Sequence, residues 1–328
     1  YLSNPYVFAC IDQRAANLAA LPICIKINDQ AIYDHEILNM FNNVFYGNTV
    51  LNQYDFFYRL SAFLDISGNA YIWGDSATSP TELVLYDPSD VSIDTSSGKV
   101  VYSIGQTKID REKNLFIHIA NFNPSNKIKG AAPTEPADLS IDTNNAGRVY
   151  NSSLMQKHTK ISGILKGTAG SIPDDVRQAF KDQFTARYSG AANSGSVMFT
   201  SGDIEYTETQ MRPVDMDWLN AMTVSGKEIG MTFKVPPELL GIGKATYENV
   251  KEARLYFIRQ VVAPQLEKIL ESFNRSLVSL FDSNLKLKVD YEKIEAIKEF
   301  QQKAENERLT AASQVAVNLY NAGIIERD

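Results

Sequence analysis

Residues 235–280 constrain the fold of this chain most strongly, because they combine a helix stop, a glycine-containing loop and a long apolar helix. Two adjacent prolines, Pro236 and Pro237, fix φ and remove two backbone donors. A residue that precedes a proline also avoids the helical region, so the preceding helix must end by about Lys234. The chain is therefore expected to begin its next helix only after an irregular segment.

A short loop follows the two prolines. Gly241 and Gly243 allow backbone conformations that other residues avoid. Thr246 is positioned to cap the next helix by accepting a hydrogen bond from an early N–H. We therefore expect residues 241–247 to form a surface loop between two helices.

The helix that follows this loop carries an apolar stripe that is too wide for a surface helix. At 1.5 Å per residue, residues 248–280 would span about 50 Å. Because the apolar period resumes after Pro264, we expect this proline to bend the helix rather than end it. The stripe consists of Val250, Ala253, Phe257 and Val261 on one face and Ile258, Val262, Leu266, Ile269, Phe273 and Leu277 on a neighbouring face.

This chain of 328 residues has a net charge of −7. That charge distinguishes two ways of interacting with DNA, which are tight binding and passage through a channel. A tight nucleic-acid binder normally carries a basic patch, so the acidic balance argues against a protein that holds DNA. It does not argue against a conduit, because a wall that does not attract phosphates lets DNA slide. A content of 44% hydrophobic and 22% charged residues is ordinary for a globular protein.

The two cysteines and the chain ends carry little functional signal. Cys10 and Cys24 lie in apolar runs without a Cys-x-x-Cys spacing, which predicts buried free thiols in a reducing compartment. The sequence contains no run of about 18 apolar residues, so no membrane span is predicted. The first residues show no secretory signal, and since the chain opens on Tyr1 we expect the natural protein to continue beyond both ends.

The remaining segments predict an α+β fold. Residues 161–209 are expected to form a separate strand–helix–strand–strand unit, whose exposed sheet edges favour completion by a neighbouring copy. The predicted helices are 4–21, 36–46, 50–63, 134–157, 173–188, 215–233 and 290–321, and the predicted strands are 23–27, 70–73, 82–86, 91–94, 99–104, 114–119, 161–166, 196–200, 204–208 and 286–289.

Enzyme motifs are missing from the sequence. Residues 241–245 contain a Gly-Lys pair, but Glu238 and Ala245 stand where a phosphate-binding loop needs glycine and Ser/Thr. His118 lies in an apolar strand and is interpreted as a structural histidine, because no metal-ligating residue is nearby in sequence. We therefore predict no catalytic residue, no metal site and no cofactor.

Four stretches of the chain resemble one protein family, in the same order along the sequence. They are residues 4–21, the Gly-Asn-Ala-Tyr tetrad at 68–71, residues 135–151, and residues 227–254 with Val-Pro-Pro-Glu-Leu-Leu-Gly and Thr-Tyr-Glu-Asn-Val. Together they resemble portal proteins of tailed bacteriophages, in the branch with capsids of the HK97 type. One departure is Glu135-Pro136, where the family usually has Ser-Pro at the start of a stem helix.

The resemblance implies a portal-like multi-domain fold within the α+β class. The implied parts are an α/β wing (1–133), a first stem helix (134–160), a small α/β clip (161–210), a second stem helix (211–240), a tunnel loop (241–247), a long kinked helix that returns to the wing (248–289), and the start of a helical crown (290–328), at which the chain is truncated.

The resemblance also implies a non-enzymatic function. Portal subunits form a homo-oligomeric ring, expected here to be a dodecamer, at one capsid vertex, through which DNA is packaged and ejected. The implied partners are the terminase large subunit, which hydrolyses ATP, the major capsid protein, a head–tail connector, and double-stranded DNA in transient non-specific contact; no membrane is implied. The implied location is the virion and, during assembly, the host bacterial cytoplasm.

Site residues follow from the same resemblance. Lys244 either touches passing phosphates or is an ordinary solvated lysine, and both interpretations stay open. The implied tunnel loop consists of Gly241, Ile242, Gly243, Lys244, Ala245, Thr246 and Tyr247; the candidate lining of the stem channel is Asp138, Asp142, Asp215 and Asp217; and Pro264 is the expected helix kink.

Two other interpretations of the sequence stay open. An α+β scaffold or adaptor could bind other proteins without conducting DNA, and a nuclease or nucleotide-using enzyme could lack a recognisable motif. A closed ring with an axial hole about 20 Å wide supports the portal, whereas a stable monomer does not.

Overall fold

The computed structural model describes residues 2–28, 30–96, 98–157, 163–167, 178, 182, 204–208, 218–242 and 246–321. The chain divides into a larger compact unit, residues 5–136 and 230–328, and a smaller one, residues 2–4 and 137–229. The described helices are α1 (Pro5–Ala19), α2 (Glu36–Phe41), α3 (Gln53–Ser67), α4 (Asp138–Lys157), α5 (Trp218–Thr232), α6 (Tyr247–Phe257), α7 (Ala263–Phe273), α8 (Ser279–Phe281) and α9 (Glu295–Asn321).

The described strands of the larger unit form three sheets, ordered β13-β1-β2, β10-β5-β6-β3-β4 and β7-β8-β9. All neighbouring strands are antiparallel except β3 and β6. The strands are β1 (Ile23–Ile27), β2 (Gln30–Ile32), β3 (Val44–Tyr46), β4 (Thr49–Leu51), β5 (Asn69–Gly74), β6 (Leu83–Tyr86), β7 (Val91–Asp94), β8 (Val101–Ile104), β9 (Thr107–Lys108), β10 (Leu115–Ala120), β11 (Gly163–Gly167), β12 (Ile204–Glu208) and β13 (Lys286–Val289).

Four phenylalanines occupy the centre of the larger unit. Phe41, Phe56, Phe57 and Phe273 are all fully buried and come from α2, α3 and α7. Their ring centroids lie 5.1 to 6.4 Å apart, within the range for favourable edge-to-face and offset aromatic contacts. Helices α2 and α3 therefore pack directly on α7, which lies after the loop predicted at residues 241–247.

A partly buried arginine connects four separate parts of the larger unit. Arg14 of α1 donates from Nε to Asp65 Oδ2 of α3 at 2.7 Å, from Nη1 to the carbonyl of Phe233 at 2.7 Å, and from Nη2 to Gln265 Oε1 at 2.5 Å. Burial raises the pKa of the Asp65 carboxyl, and the Arg14 guanidinium opposes this shift. The end of α5 is thus fixed to α1, α3 and α7.

The prediction of two helices over residues 36–46 and 50–63 is wrong in part. Helix α2 ends at Phe41, strands β3 and β4 form a hairpin, and α3 begins only at Gln53. The short runs on either side of the Gly-Asn turn are rich in residues that favour strands, and Gly47 adopts φ +56°, which suits a tight hairpin. Asn52 then caps α3, its side chain accepting from the Asp55 N–H at 2.8 Å.

Other expectations about elements are largely confirmed. The strand predicted at 161–166 is observed as β11, which pairs antiparallel with β12. Helix α4 begins at Asp138 rather than at residue 134, because residues 133–137 form a turn in which Glu135 Oε1 accepts from the Ala132 N–H at 2.9 Å. Strands β2 and β9 were not predicted. The predicted strand 196–200, most of the predicted helix 173–188, and residues 322–328 of the expected crown lie outside the described residues.

The Gly-Asn-Ala-Tyr tetrad closes the end of α3 against a distant loop. Gly68 ends the helix with φ +74°. A Cβ at Gly68 would lie 2.5 Å from the carbonyl carbon of Ala131 and 2.6 Å from that of Gly130. Asn69 Oδ1 accepts from the Gly130 N–H at 2.8 Å, so the tetrad holds the loop that leads towards α4.

His118 is a structural histidine, as predicted. Its Nε2 lies 3.0 Å from Asn69 Oδ1, which only accepts, so Nε2 carries the proton. Its Nδ1, 3.1 Å from the Tyr102 hydroxyl, then accepts from that hydroxyl. The Tyr71 ring stacks on the imidazole with centroids 4.5 Å apart. Burial, assisted by the charge of Arg111, lowers the pKa of His118 to about 4.

We predict that Gly68→Ala destabilises the larger unit far more than Gly98→Ala. Gly98 has the same conformation, φ +73°, but a Cβ added there would meet no atom within 4 Å, so its substitution should cost about 1 kcal/mol. Gly68→Ala adds a clash with backbone, and the total should reach at least about 3 kcal/mol. Urea unfolding followed by Trp73 fluorescence in a Trp218→Phe background measures both; equal losses would contradict the close approach to Gly130.

We also predict that stability falls as the pH drops from about 6.5 to about 4, partly through His118. The unfolded state binds a proton near pH 6.5, whereas burial holds the folded pKa at about 4. The neutral histidine therefore favours folding fully above pH 6.5 and progressively less below it. Unfolding free energies measured across this window should show a shallower slope for His118→Gln than for the natural chain; an unchanged slope would refute the assignment.

Candidate functional site

The loop predicted at residues 241–247 begins on a rigid base. Lys234 adopts φ +57° directly after α5, and the Val235 N–H donates to the carbonyl of Gly230 at 2.8 Å. The segment Pro237–Leu240 then forms a single 3₁₀ turn, which ends at Gly241 with φ +69°. The two prolines therefore end α5 where the sequence predicted, and the turn directs the chain into the loop.

Four of the seven predicted loop residues are described. Gly241, Thr246 and Tyr247 are exposed, and Tyr247 is 87% exposed. Ile242 is buried instead, and its N–H donates to the carbonyl of Pro237 at 3.0 Å, so it anchors the loop rather than projecting from it. Gly243, Lys244 and Ala245 lie outside the described residues.

A capped helix begins directly after the loop. Thr246 Oγ1 accepts from the Asn249 N–H at 3.3 Å, which confirms the predicted cap. The first turns of α6 are largely exposed, and the buried stripe of the helix begins at Phe257. The apolar stripe is therefore confirmed for its later residues, whereas Val250 and Ala253 are only partly buried.

Residues 247–281 form one long helix that contains two π segments, Ile258–Val262 and Asn274–Val278. In the first segment the Ala263 N–H donates to the carbonyl of Ile258, one residue further back than in an α-helix. Pro264 follows immediately and is exposed. The α-helical hydrogen bonding therefore resumes beside a residue that has no backbone N–H to donate. The helix continues through Pro264 as predicted.

The second π segment fixes the long helix to a strand. Asn274 Nδ2 donates to the carbonyl of Leu287 at 3.1 Å, and Asn274 Oδ1 accepts from the Leu287 N–H at 2.8 Å. The side chain thus pairs with β13 as a neighbouring strand would. This contact holds the helix end against the sheet that also contains β1.

A buried polar layer joins the two helices of the smaller unit. Asn144 of α4 is fully buried and donates from Nδ2 to Ser225 Oγ of α5 at 3.0 Å. Asn4 donates to Asn144 Oδ1 at 3.1 Å. Ser140 Oγ donates to Glu228 Oε2 at 2.6 Å near the start of α4. Asn144, a poor helix former inside α4, is therefore compensated by specific contacts.

The structure describes two of the four carboxylates that were predicted to line a stem channel. Asp138 and Asp142 are both exposed and lie one turn apart on α4, so they share one face of the helix. Asp215 and Asp217 lie outside the described residues. The structure therefore brings together half of the predicted set.

The same smaller unit leaves large apolar side chains uncovered, which sequence reasoning missed. Leu139 is 81% exposed, Val149 67% and Val224 52%. Leu139, Ala146 and Tyr150 are spaced by seven and four residues, which places them along one face of α4. This spacing is the sequence signal by which the face could have been found.

Electrostatic and ligand-binding features of the described residues are modest. No group of three or more His, Cys, Asp or Glu side chains lies close enough to hold a metal ion in the part of the chain that the structure describes. Cys10 and Cys24 are free and buried, as predicted, and burial raises the pKa of the Cys10 thiol to about 12. None of the described helices is both long and apolar enough to cross a bilayer.

Comparison with known proteins identifies relatives of the whole chain. An uncharacterized protein of Rickettsia bellii (strain RML369-C) is 28% identical over 317 residues, which cover 91% of this chain and 80% of that protein. A chain in the neck of a native gene transfer agent particle, computed with C12 symmetry, has a TM-score of 0.69 at 22% identity and covers 93% of this chain and 85% of its own length.

An HK97 family phage portal protein from Corynebacterium diphtheriae has a TM-score of 0.67 at 12% identity, with 88% of this chain and 93% of that chain covered. At these identities the structural likenesses establish a common fold, in which helices and sheets are mixed as predicted. A family model described as phage portal protein matches residues 5–327. The chain therefore belongs to the phage portal protein family.

Proposed function

We propose that this chain is the repeating subunit of a closed ring that conducts double-stranded DNA through its axis. The observation that carries the proposal is the exposed apolar side chains of α4 and α5, among which Leu139, Val149 and Val224 are each more than half exposed. Soluble proteins rarely leave contiguous apolar surface on a helix facing water. Neighbouring copies in a ring would cover it, since a closed ring presents the same two complementary surfaces at every interface.

The proposed ring has twelve subunits. Support comes from the likeness to a neck structure computed with C12 symmetry. Helix α9 adds further surface for contacts between copies, because Leu309, Val315 and Val317 are each at least half exposed along it. A lone chain would gain little from a helix of 27 residues with an exposed second half.

The proposed parts of the subunit keep their predicted bounds. The wing is assigned to residues 1–133, the stem helices to 134–160 and 211–240, the clip to 161–210, and the crown to 290–328. Two features support this division. The boundary between the compact units falls at residues 136 and 230, close to the ends of the proposed stem, and α4 and α5 share a buried polar layer.

DNA contact is proposed for the loop and the stem carboxylates. Residues 241–247 would face the channel, with Ile242 as the anchor and Lys244 in weak, salt-screened contact with phosphates. Asp138 and Asp142, with Asp215 and Asp217, would line the stem and repel the backbone so that the duplex slides. Pro264 would set the bend of the long helix that carries the loop.

The proposed partners follow from a ring at one capsid vertex. They are the major capsid protein, the terminase large subunit during packaging and a head–tail connector afterwards. The chain itself would perform no catalysis and bind no cofactor; the terminase would supply the energy. The proposed location is the virion, with assembly in the host bacterial cytoplasm.

Replacing an uncovered stem leucine should prevent ring assembly without unfolding the subunit. Leu139→Asp places a charge where we propose contact with a neighbouring copy, and because Leu139 is 81% exposed the fold should tolerate it. Leu2→Asp is the matched control, since Leu2 is 85% exposed and lies outside both stem helices. Light scattering should find a ring for the control and a smaller species for Leu139→Asp; rings in both cases would refute the proposed interface.

Replacing the loop lysine should affect DNA passage alone. Lys244→Ala should leave the ring intact, because a lone lysine contributes only weak contact, and should change the rate of DNA packaging in a salt-dependent way. Lys286→Ala, at an exposed position on β13, is the control. Packaging assays at low and high salt test this. Loss of folding would contradict the proposed surface position of Lys244, and unchanged packaging would show it to be an ordinary solvated lysine.

A further inference from the structure

Strand β10 lies at one edge of the five-stranded sheet, and β5 is its sole strand partner among the described residues. The Asn121 N–H donates to the carbonyl of Gly68 at 2.8 Å in continuation of this ladder. In an antiparallel pair the bonded residues alternate, so Ile117 also turns its backbone groups towards β5. Phe116 and His118 therefore turn theirs outward, away from the sheet.

These outward groups are not satisfied within the chain as described. Further along the edge, the carbonyl of Ala120 accepts from Lys268 Nζ at 2.9 Å. The N–H and C=O groups of Phe116 and His118 have no hydrogen-bond partner among the described residues. Two donors and two acceptors thus remain open on a strand whose Phe116 side chain is buried.

A cavity of about 300 Å³ lies along the same edge. It is lined by residues 116–118 of β10 and by Ser272, Arg275 and Ser276 of the long helix. This volume is at the small end of those that bind ligands. It suits a short extended segment rather than a folded domain.

Two arginines line this cavity. Arg111 lines it and forms no ion pair within the described residues; its guanidinium carbon lies 5.8 Å from the centre of the Tyr102 ring. Arg275 is 77% exposed, and it pairs with the exposed Glu271 one turn earlier on the helix, at 3.3 Å. Guanidinium groups match carboxylates geometrically, so the cavity favours an acidic ligand.

We propose that this edge binds an extended acidic segment of a partner protein, which adds a short strand to β10. The backbone of the segment would pair with Phe116 and His118, and a carboxylate on it would contact Arg111 and Arg275. A nucleic acid fits less well, because phosphates supply acceptors only, whereas the open edge presents both donors and acceptors. The inference stands independently of the proposed ring.

Short synthetic peptides test the proposal on the full chain. The probes are acetylated and amidated heptapeptides with Val, Ile, Thr or Tyr at the outer positions and Glu, Gln or Lys at the centre. The Glu pool should bind at least about tenfold more tightly than the Lys pool, given the strength of arginine–carboxylate contacts. Hydrogen exchange at the Phe116 and His118 amides should slow on binding, whereas Ile117, already bonded to β5, should not change.

Matched variants distinguish the cavity from general surface charge. Arg111→Gln and Arg275→Gln should each weaken binding of the Glu pool by about fivefold or more. Arg254→Gln, at an exposed position on α6, should have no effect. Equal binding of the three pools, or unchanged exchange at Phe116 and His118, would overturn the proposal.

Two further outcomes would also overturn it. Inorganic phosphate or a short DNA duplex could displace the Glu pool while the pool gives no protection of the two amides, which would indicate a plain anion site. Alternatively, exchange at Phe116 and His118 could slow with chain concentration alone, without peptide, which would assign the edge to a second copy of this chain.

Discussion

The Arg14 guanidinium is the contact on which the arrangement of the larger unit depends. It binds a carboxylate, a backbone carbonyl and a side-chain amide that lie 51, 219 and 251 residues away in sequence. Asp65 Oδ1 is buried and has no hydrogen-bond partner among the described residues, so the aspartate relies on Arg14. Breaking such a buried pair typically costs about 3–5 kcal/mol, because a charge is left without a partner. Since one of the three acceptors is the carbonyl of Phe233, the loss would destabilise the segment that leads into the loop predicted at residues 241–247.

Local signals in the sequence were sufficient for most elements. Prolines and caps act within a few residues, and so the end of α5 and the Thr246 cap were both predicted correctly. The hairpin at residues 44–51 was missed because its three-residue strands are too short for a clear alternation. The π segments were missed for a different reason, since a change from four- to five-residue hydrogen bonding depends on contacts such as Asn274 with β13.

The candidate site was predictable only in outline. The loop position followed from Pro236, Pro237 and two glycines, but the burial of Ile242 depends on the turn that packs beneath it. The contact of Asn69 with Gly130 could not be predicted either, because it joins a strand to a loop 61 residues further along the chain. Contacts of this kind have no local pattern, whereas exposed Leu139 and Tyr150 did have a periodic one that was not recognised.

The two compact units are stabilised by different means, and this difference bears on function. The larger unit has an aromatic centre that excludes water, which suits a rigid body. The smaller unit instead buries Asn144 and Ser225 between its helices and leaves Leu139 exposed. A polar layer specifies how two helices align but contributes little net free energy, so such a pair needs further apolar burial to become stable. Contact with neighbouring copies in the proposed ring would supply that burial and add to the stability of this helix pair.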